Sequence, residues 1–483
     1  MDVTCLVTNP LVVVTNREPY IDEKIGSGIR TIQTAGGVVS ALDPLLQEMG
    51  GDWIAWGSGS ADRVTAPRGM REVPPKHPRY RLHRVFLSPS EEQGYYTHYA
   101  NQGLWPLSHM LVERARFSRR AWPIYRAVNQ KFARAAAATS VPGAWVFSHD
   151  YQLALLPAQL RTMRPDVAIA HFWHIPWPAF PVFRLCPQYQ EILRGLLGAD
   201  VLGFQTSDDV DAFLHAAHRT LKAPVDFDAG HIVWEGRPVH VRAIPISVDF
   251  DAIESLVRHP RIARWTGGIR RKLARRDRIL GISVDRADYT KGIVPRLQGI
   301  REFFQRYPER RGQVTFLQIV VPTRSEVQEY RNLYHQVEEE TRRLNREFGD
   351  DDWTPVITIR RHIDRARLMG LFRAADFGLV SSLFDGMNLV AKEFVAAQIE
   401  GRGVLLLSES AGAANELADA FPINPLDAEG FASTLHEALN IPPAERHARM
   451  ERMREHVQQH TIYDWLQSIL LALSEVSAAY ARE

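Results

Sequence analysis

The sequence predicts an α/β protein with two doubly wound parallel-sheet domains that face a central cleft. Short β-branched runs alternate with helical patterns along almost the whole chain, which is typical of parallel strands covered by helices. So many strands exceed one comfortable sheet, which favours two. The best boundary lies near residues 245–249, where one set of strands ends and a second begins. Ligands of such sheets bind beyond the carboxyl ends of strands, so strand-to-helix loops are expected to line the cleft.

We therefore expect an N-terminal domain over residues 1–248, a C-terminal domain over 249–460, and an amphipathic helix within 461–483. This last helix closes one domain or crosses back to the N-terminal one, and periodicity alone leaves both open. The predicted strands are Leu11–Thr15, Trp53–Trp56, Trp145–Ser148, Val167–Trp173, Val201–Gln205, Val241–Ile246, Ile279–Val284, Val314–Val321, Val356–Arg360, Phe377–Ser381 and Val404–Ser408. The predicted helices are Val38–Met49, Ile124–Ala137, Leu153–Met163, Gln188–Leu197, Asp208–Leu221, Ile293–Arg306, Glu326–Phe348, Ala366–Ala374, Leu389–Glu400, Ala428–Leu439 and Ile462–Ala479.

Composition disfavours several classes of protein. Hydrophobic residues make up 45% of the 483 residues and charged residues 24%, and the net charge of +2 gives no general attraction to nucleic acid or anionic membranes. No apolar run reaches the ~20 residues that span a bilayer, and residues 1–14 lack the features of a signal peptide. The two cysteines, Cys5 and Cys186, have no metal-type spacing. We expect a reduced cytoplasmic chain without nucleic-acid or membrane partners; a homo-oligomer is compatible with the sequence.

The most informative segment is 384–394, where Asp385-Gly386 signals a turn between a strand and a helix. A helix N-terminus presents unpaired N–H groups and the positive end of its dipole, which suit a diphosphate. Glu393 follows Asp385 by a little over two turns, so it can face the same ligand. The spacing suits a nucleotide-sugar, with Asp385 near the sugar and Glu393 on the ribose. A capped core helix with a stray acid is the alternative.

A second segment, 284–292, also leads from a strand into a helix. Arg286 and Lys291 are five residues apart across this loop and can converge on one anion. Two fixed cations would stabilise the negative charge that builds up as a nucleoside diphosphate departs. The alternative is a surface loop in which these cations pair with Asp285 and Asp288.

Arg17 and Arg324 each follow an apolar strand, where a guanidinium faces the expected ligand. Two such arginines, one from each half of the chain, suggest an acceptor that carries a phosphate. Gly37 ends the run Ala-Gly-Gly before a helix, which permits close backbone approach to a ligand, although a tight turn is equally plausible.

An aromatic, poorly periodic stretch contains Tyr96 and Trp105, which could wall a hexose site or belong to the core. Asp150 follows a strand and could bind sugar hydroxyls or cap the next helix. His171 and His174 have an odd spacing that places them on opposite faces of a strand, so we expect no shared metal. The sequence shows no P-loop and no convincing dinucleotide fingerprint, and we expect neither a metal nor a cofactor.

Taken together and in this order, the motifs resemble the trehalose-6-phosphate synthase family, retaining glycosyltransferases of the GT-B fold with two Rossmann-like domains. The resemblance runs from about Val12 to about Leu473. The matching segments are Asn16-Arg17, Ala35-Gly36-Gly37, Tyr95-Tyr96 with Asn101 and Leu104-Trp105-Pro106, His149-Asp150-Tyr151, His174-Ile175-Pro176, 202–206, Asp285-Arg286 with Asp288-Tyr289 and Lys291-Gly292, Pro322-Thr323-Arg324, and 385–393.

The resemblance implies a donor site for a nucleoside-diphosphate glucose in the C-terminal domain. Arg286 and Lys291 would clamp the diphosphate, Asp385 would hold the glucose, and Glu393 the ribose. Gly37 and His174 would approach the donor from the N-terminal domain. The amides that would complete the donor site belong to Gly386, Met387, Asn388 and Leu389.

The resemblance also implies that the N-terminal domain binds the acceptor, glucose 6-phosphate. Arg17 and Arg324 would take its phosphate, Tyr96 and Trp105 would lie beside it, and Asp150 would hold its hydroxyls. Same-face transfer would follow without a protein nucleophile or a metal ion, the leaving phosphate taking the acceptor's proton. Arg286, Lys291, Asp150 and Asp385 are therefore the implied catalytic residues.

Some positions depart from the family pattern, among them Phe384, Ser247-Val248, residues 97–100, Trp177 and residues 18–20. Several lie near the expected acceptor site, so a related transferase with another phosphorylated acceptor is an alternative, such as glycerol phosphate or a cyclitol phosphate. A catalytically silent sugar-phosphate sensor is a second alternative. The sequence does not identify the base of the donor, which could be UDP, GDP or ADP.

Overall fold

The computed structural model describes residues 9–34, 37–274, 278–323 and 328–480. The chain divides into two compact units. Unit 1 comprises residues 1–246 together with 462–483, and unit 2 comprises residues 247–461.

Unit 1 is built on a ten-stranded sheet with the strand order β10-β11-β12-β9-β8-β7-β1-β4-β6-β5, and a separate hairpin is formed by β2 and β3. Its strands are β1 (Leu11–Arg17), β2 (Tyr20–Ile25), β3 (Gly28–Gln33), β4 (Asp52–Trp56), β5 (Met70–Val73), β6 (Tyr80–Val85), β7 (Trp145–His149), β8 (Ala168–Phe172), β9 (Val201–Phe204), β10 (Val225–Asp226), β11 (His231–Trp234) and β12 (Arg237–Ala243). The central strands β12, β9, β8, β7, β1, β4 and β6 pair in parallel, whereas β5, β10 and β11 pair antiparallel at the edges.

The central strands are apolar because helices cover both faces of a parallel sheet. In β1, β7 and β8 every residue but Arg17 is buried. The helices of this part of the chain are α1 (Gly37–Met49), α2 (Asp62–Thr65), α3 (Pro89–Glu92), α4 (Trp105–Ser108), α5 (Ala121–Thr139), α6 (Leu156–Met163), α7 (Phe180–Phe183), α8 (Tyr189–Leu196) and α9 (Ser207–Leu221).

Unit 2 contains a six-stranded sheet with the order β15-β14-β13-β16-β17-β18, and every pair in it is parallel. Its strands are β13 (Ile279–Arg286), β14 (Val314–Val321), β15 (Val356–Ile359), β16 (Phe377–Val380), β17 (Val404–Ser408) and β18 (Phe421–Ile423). Its helices are α10 (Phe250–Arg258), α11 (Pro260–Ala274), α12 (Ile293–Arg306), α13 (Gln328–Phe348), α14 (Arg365–Ala374), α15 (Leu389–Ala397), α16 (Ala428–Asn440) and α17 (Pro443–Gln459).

The last helix, α18 (Ile462–Tyr480), belongs to unit 1, although it follows unit 2 in the chain. The indole of Trp465 packs on Phe147 of β7 and Phe172 of β8, with ring centroids 5.7 and 5.2 Å away. Further along the helix, Ser477 accepts a 2.7 Å hydrogen bond from the indole of Trp145. Among the described residues, no helix combines the length and the hydropathy needed to cross a membrane.

The predicted fold class, α/β with doubly wound parallel sheets, is confirmed, and each predicted strand and helix lies on an observed one. The predicted start of the helix at Glu326 falls outside the described residues. The sequence did not predict the helices α10, α11 and α17, four short helices of unit 1, or the strands β2, β3, β5, β6, β10, β11 and β18. One is the hairpin β2–β3, whose turn at Gly26 uses a positive φ of 59°. Another is a π-helical segment over Gln93–Leu104, which explains why this stretch lacked the 3.6-residue period of an α-helix.

Candidate functional site

The order of strands in unit 2 places two loops at the middle of the sheet. From β13 the chain moves outward through β14 and β15, and from β16 it moves the other way through β17 and β18. The crossover direction therefore reverses between β13 and β16, which are hydrogen-bonded neighbours. Ligands of open parallel sheets bind at such a switch point, outside the carboxyl ends of the strands. The loops that follow β13 and β16 carry the two segments that the sequence singled out.

Lys291 and Asp385 meet at this point. The Lys291 ammonium lies 2.5 Å from Oδ2 of Asp385, and both side chains are largely buried. The same carboxylate oxygen accepts hydrogen bonds from Asn388 Nδ2 at 2.9 Å and from Ser382 Oγ at 3.1 Å. The structure thus brings together a cation from the β13 loop and an acid from the β16 loop.

Two glycines allow the loops of this region to approach closely. At Gly292, the residue before α12, φ is +59° and a Cβ would lie 2.0 Å from the carbonyl oxygen of Ser381. At Gly412 a Cβ would lie 2.0 Å from the carbonyl oxygen of Gly386. A side chain at either position would therefore push apart the backbone that carries Lys291 and Asp385.

Arg296 is a structural residue of this site that the sequence did not single out. Its buried guanidinium donates to Asp285 Oδ2 at 2.7 Å, to Ser381 Oγ at 3.2 Å and to Gln318 Oε1 at 3.2 Å. These bonds join α12 to the neighbouring strands β13 and β14 and to the residue that follows β16. The available signal was an arginine on the apolar face of α12, beside Leu297 and Ile300, because an arginine on a buried face requires partners.

Arg286 is the last residue of β13 and is partly exposed. It therefore stands at the same end of the sheet as Lys291. Glu393 lies in the second turn of α15, and burial raises the pKa of its carboxyl while the Arg365 guanidinium opposes this rise. Helix α15 begins at Leu389, with Asn388 as its N-cap. Its N-terminal amides therefore lie next to Asp385.

Unit 1 has its own switch point, between β1 and β7. From β1 the sheet extends through β4 and β6 on one side and through β7, β8 and β9 on the other. Arg17 is the exposed last residue of β1, and Asp150 directly follows β7. Both therefore stand at the carboxyl ends of adjacent strands, as a ligand-binding role requires.

Asp150 has a backbone conformation that aspartate seldom adopts, with φ of +71°. Its N–H donates to the Phe172 carbonyl at 2.7 Å, and its Oδ1 accepts a hydrogen bond of 3.2 Å from the backbone N–H of His174. Its side chain does not cap the helical turn that follows. Of the two roles that the sequence left open, capping is therefore excluded, and the carboxylate instead fixes the loop after β8.

Aromatic residues surround this end of the sheet. The π-helical segment is tied to it by a bond of 2.9 Å from the Tyr95 hydroxyl to Asn16 Oδ1, while the Tyr151 hydroxyl donates to Asn101 Oδ1 at 2.8 Å. Tyr95 and Tyr151 are buried and belong to the core.

Tyr96 is partly exposed, with its ring 5.5 Å from that of Trp56. Trp105 begins α4 and is 6% exposed, packed between His109 and Tyr151. Tyr96 is therefore more accessible to a ligand than Trp105.

Three histidines lie under the same surface. His171 pairs with the Ser148 hydroxyl at 2.9 Å, whereas His174 Nε2 lies 3.0 Å from Nδ1 of His149. His149 is part of the His149-Asp150-Tyr151 motif, and nothing in the sequence indicates a role for it. Among the described residues, no group of three or more His, Cys, Asp or Glu side chains has the arrangement of a metal site. Gly37 is the first residue of α1, whereas Ala35, Gly36 and Arg324 lie outside the described residues.

Known proteins resemble this chain over nearly its full length. The family model for glycosyltransferase family 20 matches residues 9–475. Trehalose-6-phosphate synthase of Mycobacterium avium is 38% identical over 472 residues, which cover 96% of this chain and 95% of the relative. The same enzyme of Mycobacterium bovis is 37% identical over 471 residues, with 96% and 94% covered.

Solved structures of trehalose-phosphate synthases are also similar to this chain over nearly its full length. An α,α-trehalose-phosphate synthase (UDP-forming) from Burkholderia xenovorans, in complex with glucose-6-phosphate, superposes with a TM-score of 0.85 at 32% identity and covers 96% of this chain and 100% of its own. A second structure, described as trehalose-6-phosphate from E. coli bound with UDP-2-fluoro glucose, has a TM-score of 0.86 at 31% identity and covers 96% and 98%. Because the family model spans almost the entire sequence and full-length relatives exceed 30% identity, the chain belongs to glycosyltransferase family 20.

Proposed function

We propose that this chain transfers glucose from a nucleoside-diphosphate glucose to glucose 6-phosphate and so forms trehalose 6-phosphate. The observation that carries the proposal is the meeting of Lys291 and Asp385 at the switch point of unit 2, in a member of glycosyltransferase family 20. A cation next to a hydrogen-bonded acid suits a ligand with an anionic half and a hydroxyl-rich half.

Different residues of the donor site bind the diphosphate, the glucose and the ribose of the nucleotide-sugar. Arg286 and Lys291 bind the diphosphate, Asp385 accepts hydrogen bonds from glucose hydroxyls, and Glu393 accepts them from the ribose. The amides of residues 386–389 add uncharged donors, since the N-terminus of α15 lies there. Gly37 and His174 also contact the donor. We take UDP as the nucleotide, because the Burkholderia relative is a UDP-forming enzyme and the E. coli structure holds a UDP-sugar analogue.

The acceptor roles fall mainly on unit 1. Arg17 and Arg324 bind the phosphate, Tyr96 and Trp105 contact the sugar, and Asp150 accepts hydrogen bonds from its hydroxyls. Support comes from the position of Arg17 and Asp150 at the ends of adjacent strands. A second line of support is the glucose-6-phosphate bound to the Burkholderia relative.

The reaction needs no protein nucleophile. The bond between the donor's anomeric carbon and the phosphate oxygen breaks, and the anomeric carbon becomes oxocarbenium-like. A bond from the acceptor's anomeric hydroxyl oxygen forms on the same face. The proton of that hydroxyl passes to the leaving phosphate oxygen. The protein orients both sugars, and Arg286 and Lys291 stabilise the charge that develops on the diphosphate.

We further propose a cytoplasmic location. Cys186 is a free, buried thiol, and burial raises its pKa to about 12, so it stays protonated and unreactive. A chain with two cysteines and a free thiol fits a reducing compartment.

A direct assay tests the proposed function. Purified enzyme is given UDP-, GDP- or ADP-glucose with glucose 6-phosphate or glycerol 3-phosphate, and release of the nucleoside diphosphate and of new disaccharide phosphate is measured. We expect turnover with UDP-glucose and glucose 6-phosphate. Turnover only with glycerol 3-phosphate would instead assign another phosphorylated acceptor. Tight binding of a sugar phosphate without turnover of any donor and acceptor pair would indicate that the protein is a sugar-phosphate sensor.

A further inference from the structure

His149 and His174 form a hydrogen-bonded imidazole pair in unit 1. Nδ1 of His149 lies 3.0 Å from Nε2 of His174. The two rings are inclined by only 16° and their centroids are 5.3 Å apart. The two rings therefore lie edge to edge and nearly in one plane, as an in-plane N–H···N hydrogen bond requires. One ring must therefore donate and the other accept.

Both imidazoles are neutral, so each ring carries one N–H, and one of these two N–H groups lies between the rings. Burial holds the pKa of His149 well below its ordinary value, and the neighbouring His174 and His171 lower it further. Burial alone lowers the pKa of His174 to about 3. A neutral imidazole carries one N–H and one lone pair, so the bond between the rings also determines which nitrogen of His174 holds its proton.

Nε2 of His149, the nitrogen outside this bond, indicates which of the two rings donates. Nε2 of His149 is buried and has no hydrogen-bond partner among the residues that the structure describes. If His174 were the donor, His149 would carry its proton on this nitrogen, as a buried N–H without an acceptor. If His149 is the donor, the same nitrogen is an acceptor without a proton, on a ring whose centroid lies 4.1 Å from that of Phe147 and 6.3 Å from that of Trp465. Orphaned buried donors are rarer than orphaned acceptors, which favours His149 as the donor.

His174 is held so that its other nitrogen is available. Its backbone N–H donates to Asp150 and its ring packs against Phe172 and Trp465 at 4.6 and 6.2 Å. His174 is partly exposed, and its Nδ1 makes no hydrogen bond to the part of the chain that the structure describes. Nδ1 is thus the atom of this ring that can meet a ligand.

We propose that His149 is a positioning residue, whose Nδ1–H bond to His174 fixes His174 with its own proton on Nδ1. His174 then presents an uncharged N–H, which suits a sugar hydroxyl oxygen, where an imidazolium would favour a phosphate. The inference rests on the proposed function for the identity of the sugar, but the tautomer itself is a property of the unliganded protein.

The tautomer is measured directly in the full-length protein. Ring ¹⁵N shifts are recorded with two-bond ¹H–¹⁵N correlations, and the His174 signals are identified by their loss in His174→Gln. We expect a protonated Nδ1 and an unprotonated Nε2 on His174. The opposite assignment would overturn the inference, whether or not the protein turns over UDP-glucose. An inactive protein with the expected tautomer would reject only the proposed function.

Three variants connect the tautomer to catalysis. In His149→Asn the amide nitrogen replaces Nδ1–H and can still donate, whereas His149→Phe cannot. We expect His149→Asn to keep kcat/KM for UDP-glucose within about threefold and His149→Phe to lose about tenfold, the scale of one neutral hydrogen bond. His171→Leu is the matched control, because it removes an equally buried imidazole that pairs with Ser148; it should lower Tm without changing kcat/KM. Equal losses in His149→Asn and His149→Phe, at equal Tm, would contradict a role for the Nδ1–H bond.

Discussion

At the scale of single residues, the arrangement of charge around Asp385 carries most of the functional argument. Its Oδ2 accepts hydrogen bonds from the Lys291 ammonium, the Asn388 amide and the Ser382 hydroxyl. Lys291 therefore has a fixed position before any ligand arrives. A preorganised cation needs little rearrangement as charge develops on a leaving group, and this is the main way in which enzymes stabilise such charge.

We predict that Arg286→Ala and Lys291→Ala each lower kcat by about a hundredfold or more, because their charge is needed most as the diphosphate departs. KM for UDP-glucose should change much less. Steady-state kinetics with UDP-glucose and glucose 6-phosphate measures both constants.

Arg306→Ala is the matched control for these variants. Arg306 belongs to the same unit but lies on the exposed end of α12, where its one ion pair within the described part of the chain is with Glu429 at 3.6 Å. It should leave kcat unchanged. An Arg286→Ala enzyme with the kcat of the unmodified protein would remove Arg286 from the proposed mechanism.

A second group of charges lies next to Arg17. The guanidinium of Arg84, fully buried, contacts Glu18 at 2.8 Å and both Asp22 and Asp62 at 3.0 Å. Arg71 adds a second cation on Asp22. Three carboxyls thus face two guanidiniums. Burial, together with the neighbouring Asp62 carboxylate, raises the pKa of Glu18 to about 8, so Glu18 holds a proton near neutral pH.

This proton makes stability depend on pH. Because the pKa of Glu18 is about 8 in the folded chain and near 4.5 in the unfolded one, the folded state binds the proton more tightly. The stability that protonation of Glu18 contributes is fully present below about pH 4.5 and is lost as the pH rises through about 8. We predict that Glu18→Gln, which is neutral at every pH, removes this loss and makes the variant more stable than the unmodified protein above pH 8.

Urea unfolding between pH 5 and 9 measures the effect of Glu18→Gln. Asp166→Asn provides a comparison, because Asp166 is half-exposed and its pKa is lowered to about 2 by the Arg164 guanidinium, so it does not titrate in this range. If the unmodified protein and Glu18→Gln lose stability in parallel from pH 5 to 9, Glu18 is ionised in the folded state.

At the scale of elements, α15 shows how one helix start serves both stability and the site. Asn388 adopts φ of +78°, and its Oδ1 accepts a 3.1 Å hydrogen bond from the Ala391 N–H, which is the geometry of an N-cap. Its Nδ2 simultaneously donates to Asp385. The residue that begins the helix therefore also orients the acid.

We predict that Asn388→Gly and Asn388→Ala separate these two roles. Both lose the bond to Asp385, so both should lower kcat/KM for UDP-glucose by about tenfold or more. Glycine tolerates the positive φ and is an acceptable N-cap, so it should cost a few tenths of a kcal/mol, whereas alanine should cost about 2 kcal/mol. Urea unfolding and kinetics on the same preparations measure both effects; equal stability of the two variants would contradict the backbone argument.

At the scale of the whole molecule, the chain returns to unit 1 through α18 after completing unit 2. The indole of Trp465 is 2% exposed and contacts side chains of β7 and β8. Unit 1 therefore completes its core only when α18 packs on it. Residues at the far end of the sequence support the strand ends that carry His149 and Asp150.

We predict that Trp465→Ala lowers the free energy of unfolding of unit 1 by about 3–5 kcal/mol, because it empties a large buried volume. Trp465→Phe should cost less, since it keeps part of the ring contact. Leu471→Ala is the control on the same helix, because Leu471 is 41% exposed and should cost less than about 0.5 kcal/mol. Denaturant unfolding followed by circular dichroism measures all three, and equal effects of Trp465→Ala and Leu471→Ala would contradict the packing argument.

The sequence by itself determined the α/β class, the positions of most of the long central strands and helices, and the loops that carry Arg286, Lys291 and Asp385. Apolar runs and turn residues are local signals, and each of these features is local. Local signals also explain what was missed: the π-helical segment has no 3.6-residue period, and Arg296 resembles any helical arginine until its three partners are known.

Only the tertiary structure decided which residues meet. Lys291 and Asp385 are 94 positions apart, and their bond exists because β13 and β16 are neighbours in the sheet. The same is true of His149 with His174 and of Trp465 with β7. Hydrophobic patterning fixes which face of a strand is buried, but the pairing of strands and the packing of the last helix are long-range choices, made when the sheets assemble.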